Sequence, residues 1–198
     1  MIRNKNRQEL DKLHLQNSRL MLHICCAPDA TVPWMELSLI KCLSVMGYFY
    51  GSNIHPSEEY DKRRDAVEIL MNNLKGQCFY PAPSTNLWLA STSKFADEPE
   101  GGKRCALCFR LQLEAAAKAA VESGCFYLCT TLTISPHKDV DLINSIGNEI
   151  ADNFGLAWLN QVWRKNNGFY NSVKMSKSLG LYRQSYCGCI YSMRDVES

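Results

Sequence analysis

Short apolar runs alternate with longer amphipathic stretches along most of this chain. Apolar runs rich in aliphatic and aromatic residues cover 19–24, 48–54, 77–81, 126–132 and 156–162. Each run predicts a β-strand, because strands favour such side chains. Stretches with helical periodicity cover 31–46, 57–74, 105–123, 139–154 and 170–180. Strands that alternate with helices predict an α/β fold, a single domain built on a doubly wound, mostly parallel sheet.

Turn-forming residues set the expected ends of these elements. Gly47 is expected to end the first helix, and Ser57, which two glutamates follow, is expected to cap the second. Residues 84–104 show no clear period and are expected to be irregular, and their charged end at 97–104 predicts a mobile lid. Residues 1–19 form a polar extension, which leaves 20–198 as the main domain.

Two loops that follow predicted strands carry reactive side chains. Cys25 and Cys26 follow the first strand, and a loop with His137 and Lys138 follows the fourth. Ligand sites in open parallel sheets form beyond the carboxyl ends of the strands, so we expect both loops to face one crevice. His137 and Lys138 would suit an anion or a proton transfer there, or they could simply be polar residues of a capped turn.

The ends and the composition of the chain indicate its compartment. No secretory signal is visible at the N-terminus, and no apolar run approaches the ~20 residues of a membrane span. We therefore predict a cytoplasmic protein that does not enter a membrane. Because the cytoplasm keeps thiols reduced, the ten cysteines of this chain indicate metal or redox chemistry rather than structural disulfides. No glycine-rich phosphate loop is present, which argues against ATP and NAD as ligands.

Six of the ten cysteines occur as three close pairs, Cys25-Cys26, Cys105-x-x-Cys108 and Cys187-x-Cys189. The first two pairs together offer four thiolates, enough for a [4Fe–4S] cluster or a zinc ion. Cys105 and Cys108 open a predicted helix, where both sulfurs share one face and the helix N-terminus favours thiolate. We therefore predict one metal centre from these four residues, with a structural zinc as the alternative.

The third pair predicts a different role. Gly188 allows a tight turn in which Cys187 and Cys189 could close a strained disulfide, and strained disulfides are oxidising and cycle readily. We expect a redox-active pair, with two extra metal ligands as the alternative. The four remaining cysteines, Cys42, Cys78, Cys125 and Cys129, lie in apolar surroundings and are expected in the core, as is His23.

Charge is unevenly distributed, although the net charge is only +2. Residues 160–194 contain six basic side chains and no acidic one. Such a segment suits a polyanionic partner such as nucleic acid, and a solvated basic surface explains it equally well.

Five motifs, in order, resemble the QueH family of cobalamin-independent epoxyqueuosine reductases. They are HICCAP at 23–28, NIHP at 53–56, EPEGGKRCALCFR at 98–110, TTLTISPHK at 130–138 and GLYRQSYCGC at 180–189. The resemblance implies an HUP-like (adenine nucleotide α-hydrolase-like) fold. It implies an oxidoreductase that converts epoxyqueuosine to queuosine at the wobble position of tRNA, the last step of queuosine biosynthesis. It also implies a [4Fe–4S] cluster, which Cys25, Cys26, Cys105 and Cys108 would bind, and a nearby additional iron ion.

Asp29 is a departure, because the family pattern Cys-Cys-x-Pro-Cys ends in a third cysteine at this position. Asp29 could cap the following helix or hold the second iron through a hard carboxylate oxygen. Cysteine is a poor helix cap, so the comparison favours the role of a metal ligand.

The resemblance also suggests roles in the reaction. We expect His137 or Lys138 to protonate the epoxide oxygen, and Cys187 and Cys189 to relay two electrons from an unidentified donor. Contacts to tRNA phosphates are expected from Lys103, Arg104, Arg110 and Arg183. A zinc-stabilised tRNA-binding module without redox chemistry is the alternative function.

Overall fold

A five-stranded sheet forms the centre of the computed structural model, which describes residues 18–193. Its strands are β1 (Arg19–Ile24), β2 (Ser44–Phe49), β3 (Gln77–Phe79), β4 (Tyr127–Thr130) and β5 (Ala157–Trp158). They lie in the order β3-β2-β1-β4-β5, and every neighbouring pair is parallel. The predicted doubly wound sheet is therefore confirmed. Most of the predicted polar extension, residues 1–17, lies outside the described part of the chain.

Helices cover both faces of this sheet. Within the described residues they are α1 (Ala27–Ser38), α2 (Ser57–Leu74), α3 (Thr85–Thr92), α4 (Lys103–Glu122), α5 (Val140–Asn153) and α6 (Gly168–Ser178). Alternate residues of β1 point to two separate cores, one formed with α1 and α2 and the other with α4 and α5. This arrangement agrees with the HUP-like fold. None of the described helices has the length and apolar character that crossing a membrane requires.

The first helix and the second strand differ from their predicted positions. Helix α1 begins directly after Cys26, because Pro28 in its first turn needs no backbone N–H partner there. It ends at Ser38, so Gly47 does not end it and instead lies within β2. Cys42 lies between the two elements, with a positive φ of 59° and an exposed side chain. Its predicted place in the core is therefore wrong.

Residues 84–104 are not irregular throughout, because α3 lies among them. This short helix buries Trp88 almost completely, at 1% exposure. The predicted cap of α2 is also wrong, since Pro56 is the N-cap and Ser57 is the first helical residue. By contrast, Cys125, Cys129 and His23 lie in the core as predicted, while Cys78 is only half-buried.

The centre of the sheet is where the strand order reverses. Strands β1 and β4 lie side by side there, and the backbone N–H of Thr131 donates to the carbonyl of His23 across 2.9 Å. The chain segments that leave the two strands therefore start next to each other. The crevice expected between them is present, and it contains the candidate site.

Candidate active site

A cavity of about 630 Å³ opens beyond the carboxyl ends of β1 and β4. Its walls come from the ends of these strands, the start of α4, the loop before α5 and a C-terminal segment, residues 183–189. The predicted chemical residues among its lining are Cys25, Asp29, Arg104, Cys105, Cys108, His137, Lys138, Arg183, Cys187 and Cys189. Folding thus brings members of all three cysteine pairs to one cavity, although they lie far apart in the sequence.

Cys25, Cys26 and Asp29 form one compact group, in which the two sulfurs and a carboxylate oxygen lie within 4.8 Å of one another. Cys26 is the N-cap of α1 but makes no capping hydrogen bond through its side chain. Asp29, in the first turn, accepts a hydrogen bond of 3.4 Å from the thiol of Cys25. Burial raises the pKa of Asp29. A pair of thiols with one carboxylate is a suitable ligand set for a single iron or zinc ion.

Thr131 orients this group, and it was not among the site residues predicted from the sequence. The hydroxyl oxygen of this fully buried residue accepts the backbone N–H of Cys25 at 3.1 Å and lies 3.2 Å from its sulfur. Thr131 is the first residue after β4. Its place in the motif at 130–138 was therefore the signal that could have identified it.

Cys108 belongs to a second group on another wall of the cavity. Its sulfur accepts the indole N–H of Trp88 at 3.4 Å and the side-chain amide of Gln112 at 3.1 Å. Burial raises the pKa of Cys108 to about 12, and the charges of Cys187 and Cys189 add to this rise. Cys108 also packs against the buried cluster of Trp88, Cys189 and Tyr191, which places it near the Cys-Gly-Cys pair. The sequence had instead grouped it with Cys25 and Cys26.

Lys138 contacts both this second group and the loop before α4. Its ammonium group lies 3.1 Å from the sulfur of Cys187 and 2.9 Å from a carboxylate oxygen of Glu100. Burial alone would lower the pKa of Lys138, but the negative charges of Cys187 and Glu100 outweigh burial and raise it. Lys138 is therefore held as a cation. Glu100 was not among the site residues predicted from the sequence, although it lies in the motif at 98–110.

The loop before α5 is itself held in place from outside. The guanidinium of Arg164 donates to the backbone carbonyls of Ser135 and Lys138 at 3.0 Å each. His137 lies between them and lines the cavity. The predicted turn with its histidine and lysine is thus fixed at the cavity wall.

A buried arginine holds the Cys-Gly-Cys segment against α2. Arg63 donates to the carbonyls of Tyr186 and Cys187 at 3.1 and 3.0 Å, and to Glu59 at 2.7 Å. Gly188 has a φ of +111°, and a Cβ there would lie 2.6 Å from this guanidinium. Glycine is therefore required both by the backbone conformation and by the close approach of Arg63.

We expect Arg63→Met to lower the free energy of unfolding by about 3 kcal/mol, because it leaves Glu59 charged and buried without its cation. Arg64→Met is the matched control, since Arg64 forms its ion pairs at 36% side-chain exposure. That change should cost less than about 1 kcal/mol. Urea unfolding of both variants measures the difference, and equal midpoints would show that the buried pair does not support the segment.

The four basic residues predicted to contact tRNA have different surroundings. Lys103 is exposed, Arg110 pairs with Glu149 at 2.7 Å, and Arg183 lines the cavity. Arg104 is buried, and its guanidinium donates to the carbonyls of Phe95, Ala96 and Glu98. It thus fixes the loop that was predicted to be a lid, and its charge is engaged within the protein.

Residues 20–195 match the family model described as epoxyqueuosine reductase QueH. The epoxyqueuosine reductase QueH of Histophilus somni is 36% identical over 96% of this chain and 78% of its own length. That of Streptococcus pyogenes serotype M1 is 35% identical over 88% of this chain and 70% of its own. That of Thermotoga maritima is 34% identical over 88% of this chain and 90% of its own. Every residue that lines the cavity lies within the matched range.

Proposed function

The chain belongs to the epoxyqueuosine reductase QueH family, and from that premise we propose that it reduces epoxyqueuosine to queuosine in tRNA. The single observation that carries the proposal is the cavity at the carboxyl edge of the sheet, which all three cysteine pairs approach. A structural zinc needs only four ligands in a closed site. The additional thiols and the open cavity therefore favour reductive chemistry over a zinc-stabilised tRNA-binding module.

The reaction removes an oxygen atom from an epoxide. The substrate accepts two electrons and two protons, both C–O bonds of the epoxide break, a C=C double bond forms, and one water molecule leaves. The site must therefore deliver electrons, stabilise charge on the departing oxygen and supply protons. The electrons would come from an external donor, which is unidentified.

We propose two metal-binding groups in the cavity. Cys25, Cys26 and Asp29 would hold a single iron ion, because their ligand atoms converge within 4.8 Å. Cys105, Cys108, Cys187 and Cys189 would hold a [4Fe–4S] cluster, because Cys108 interacts with the last two and shares the first turns of α4 with Cys105. When bound, the cluster supplies single electrons and the ion supplies Lewis acidity.

This assignment differs from the sequence-based one in two respects. It moves Cys25 and Cys26 from the cluster to the iron ion, and it makes Cys187 and Cys189 ligands rather than a redox-active disulfide. Hydrogen bonds support it: Cys105 accepts the backbone N–H of Gly101 at 3.2 Å, and Lys138 donates to Cys187. Such donors stabilise thiolates, the form that binds iron.

The protein's own residues would act on the epoxide through charge and protonation. Lys138 is held as a cation, so it would stabilise negative charge on the departing oxygen. Its raised pKa makes Lys138 a weak acid near neutral pH and therefore a poor proton donor. His137 lines the same cavity and is the proposed proton donor. The partly apolar lining, including Phe169 and Leu132, would limit water around the reacting atoms.

The tRNA would approach across the mouth of the cavity. Arg183 and Phe169 line it, and Tyr170 beside them is 67% exposed. A cation for the phosphates and aromatic rings for unstacked bases are the usual parts of a single-stranded RNA site. Lys103 and Arg110 would add phosphate contacts at greater distance.

We expect protein purified without oxygen to contain iron and sulfide, and to form queuosine from tRNA that carries epoxyqueuosine when dithionite is the reductant. Nucleoside mass spectrometry after tRNA digestion measures the product. Cys25→Ala should abolish it, while Cys42→Ala, outside the cavity, should not. Protein that contains zinc, lacks iron and binds this tRNA without changing it would instead support the binding-module alternative.

A further inference from the structure

Cys108 is distinguished by two side-chain N–H groups that point at its sulfur. The indole Nε1 of Trp88 lies 3.4 Å from Sγ, and the amide Nε2 of Gln112 lies 3.1 Å from it. Both side chains are nearly inaccessible, at 1% and 4% exposure. Hydrogen bonds in such surroundings have little competition from water and act strongly on the charge of the acceptor.

Helical spacing and a buried contact fix the amide of Gln112. Gln112 lies one turn after Cys108 on α4, and its Nε2 also donates to the Cys108 carbonyl at 3.2 Å. The fully buried His23 interacts with Gln112 from β1. The Nδ1 of His23 is 2.8 Å from the hydroxyl of Thr130, and its Nε2 has no partner within hydrogen-bonding geometry among the described residues.

The hydroxyl oxygen of Thr130 accepts the backbone N–H of Leu132 at 3.2 Å and lies 2.8 Å from Nδ1 of His23. In the tautomer in which that hydroxyl donates to Nδ1, the ring proton of His23 lies on Nε2. Such an N–H would favour the amide orientation in which the oxygen of Gln112 faces His23 and its NH₂ group faces Cys108.

We propose that Gln112 and Trp88 are positioning residues that raise the reduction potential of the centre held by Cys108. The proposal rests on the proposed function, because it takes Cys108 to be a cluster ligand. Reduction adds one electron, and therefore one negative charge, to a cluster that its thiolates already make negative. N–H donors to a ligand sulfur stabilise this added charge, so they favour the reduced state.

The other thiols that are placed with Cys108 do not offer the same control through side-chain hydrogen bonds. Cys105 accepts its N–H from the backbone of Gly101, which no side-chain substitution removes. Cys187 accepts a hydrogen bond from Lys138, but that lysine also stabilises charge on the substrate in the proposed reaction. Gln112 and Trp88 can therefore be changed to alter the centre while the proposed groups that act on the epoxide stay in place.

The experiment compares Gln112→Met and Trp88→Phe with the wild type in an anaerobic redox titration followed by EPR. Each variant removes one of the two side-chain donors to the Cys108 sulfur and keeps a side chain of similar shape. Leu111→Met is the control. Leu111 packs against the buried side chains of Trp88, Cys189 and Tyr191, and its aliphatic side chain donates no hydrogen bond. We expect both donor variants to have more negative midpoint potentials at unchanged iron and sulfide content, a still larger shift in the double variant, and no shift in the control.

The outcomes separate this inference from the proposed function. Wild-type potentials in both donor variants, with the cluster intact, would overturn the role of Gln112 and Trp88 and leave the reductase assignment standing. An equal shift in Leu111→Met would also overturn it, because packing would then be the cause. A Cys108→Ala variant that retains the full iron and sulfide content would overturn both the ligand assignment and this inference. If Trp88→Phe loses its cluster, the potential of Gln112→Met decides.

Discussion

Replacing Cys187 with serine should remove the iron–sulfur cluster and lower epoxyqueuosine reduction by at least about 100-fold. Changes to residues that only support metal ligands cost 10–100-fold in metal affinity or activity, so loss of a ligand should cost at least as much. The expectation follows from the position of Cys187, on the same wall as Cys108 and beside the cation of Lys138. Iron and sulfide content, measured together with single-turnover activity, checks it.

Cys42→Ser is the control for this experiment, because Cys42 is exposed and lies outside the cavity lining. It should keep both the cluster and the activity. The sequence alone had favoured a redox-active disulfide between Cys187 and Cys189, and the same experiment tests that interpretation. A Cys187→Ser variant that keeps its cluster and reduces one equivalent of tRNA, but stops after a single turnover, would support the disulfide instead.

Replacing Asp29 with asparagine should remove the second iron and the activity while the cluster and the fold remain. The carboxylate lies within 4.8 Å of two thiols, and asparagine has nearly the same shape but lacks the negative charge. Burial disfavours the charged form of Asp29, so the metal-free variant should melt at the wild-type temperature or above it. Metal analysis and thermal denaturation of the metal-free protein give the two readouts.

Asp29→Cys is the matched variant, because a thiolate also binds iron and would complete a set of three sulfurs. It should retain more of the second iron than Asp29→Asn. A stabilising role at the helix start predicts a different result, in which Asp29→Asn keeps its metal and Asp29→Cys is the less stable protein. The structure argues against that role, since Cys26 is the N-cap and Asp29 accepts from the thiol of Cys25.

The sequence predicted residues that the structure brings to one cavity, but it did not show how they are placed within it. Spacing between cysteines shows which thiols are neighbours in the chain, and members of all three pairs line the cavity. It does not show which pairs meet, because that depends on where α4 and the C-terminal segment lie on the sheet. The segment is placed by the buried contacts of Arg63, which is 124 residues before Cys187. Arg63 lies outside all five motifs, so it could not be recognised as part of the site.

Local patterns also had clear limits in the fold. The helix α3 was missed because its eight residues have little periodicity, and burial of Trp88 supports it. The sequence suggested that Arg104 would be a cation available to tRNA phosphates. In the structure, it donates to three backbone carbonyls within residues 95–98. In both cases contacts with other segments decided the outcome.

The sequence by itself determined the alternation of strands and helices, the three cysteine pairs and the family, because these properties are encoded within short stretches of chain. Only the tertiary structure decided that the side chains of Cys25, Cys26 and Asp29 converge within 4.8 Å and that Cys108 packs near Cys189. It also decided which donors face Cys108, since Trp88 and Gln112 reach its sulfur from two different helices. These are distances between segments that the sheet brings together, and hydrogen bonds and metal ligation depend on such distances to within a few tenths of an ångström.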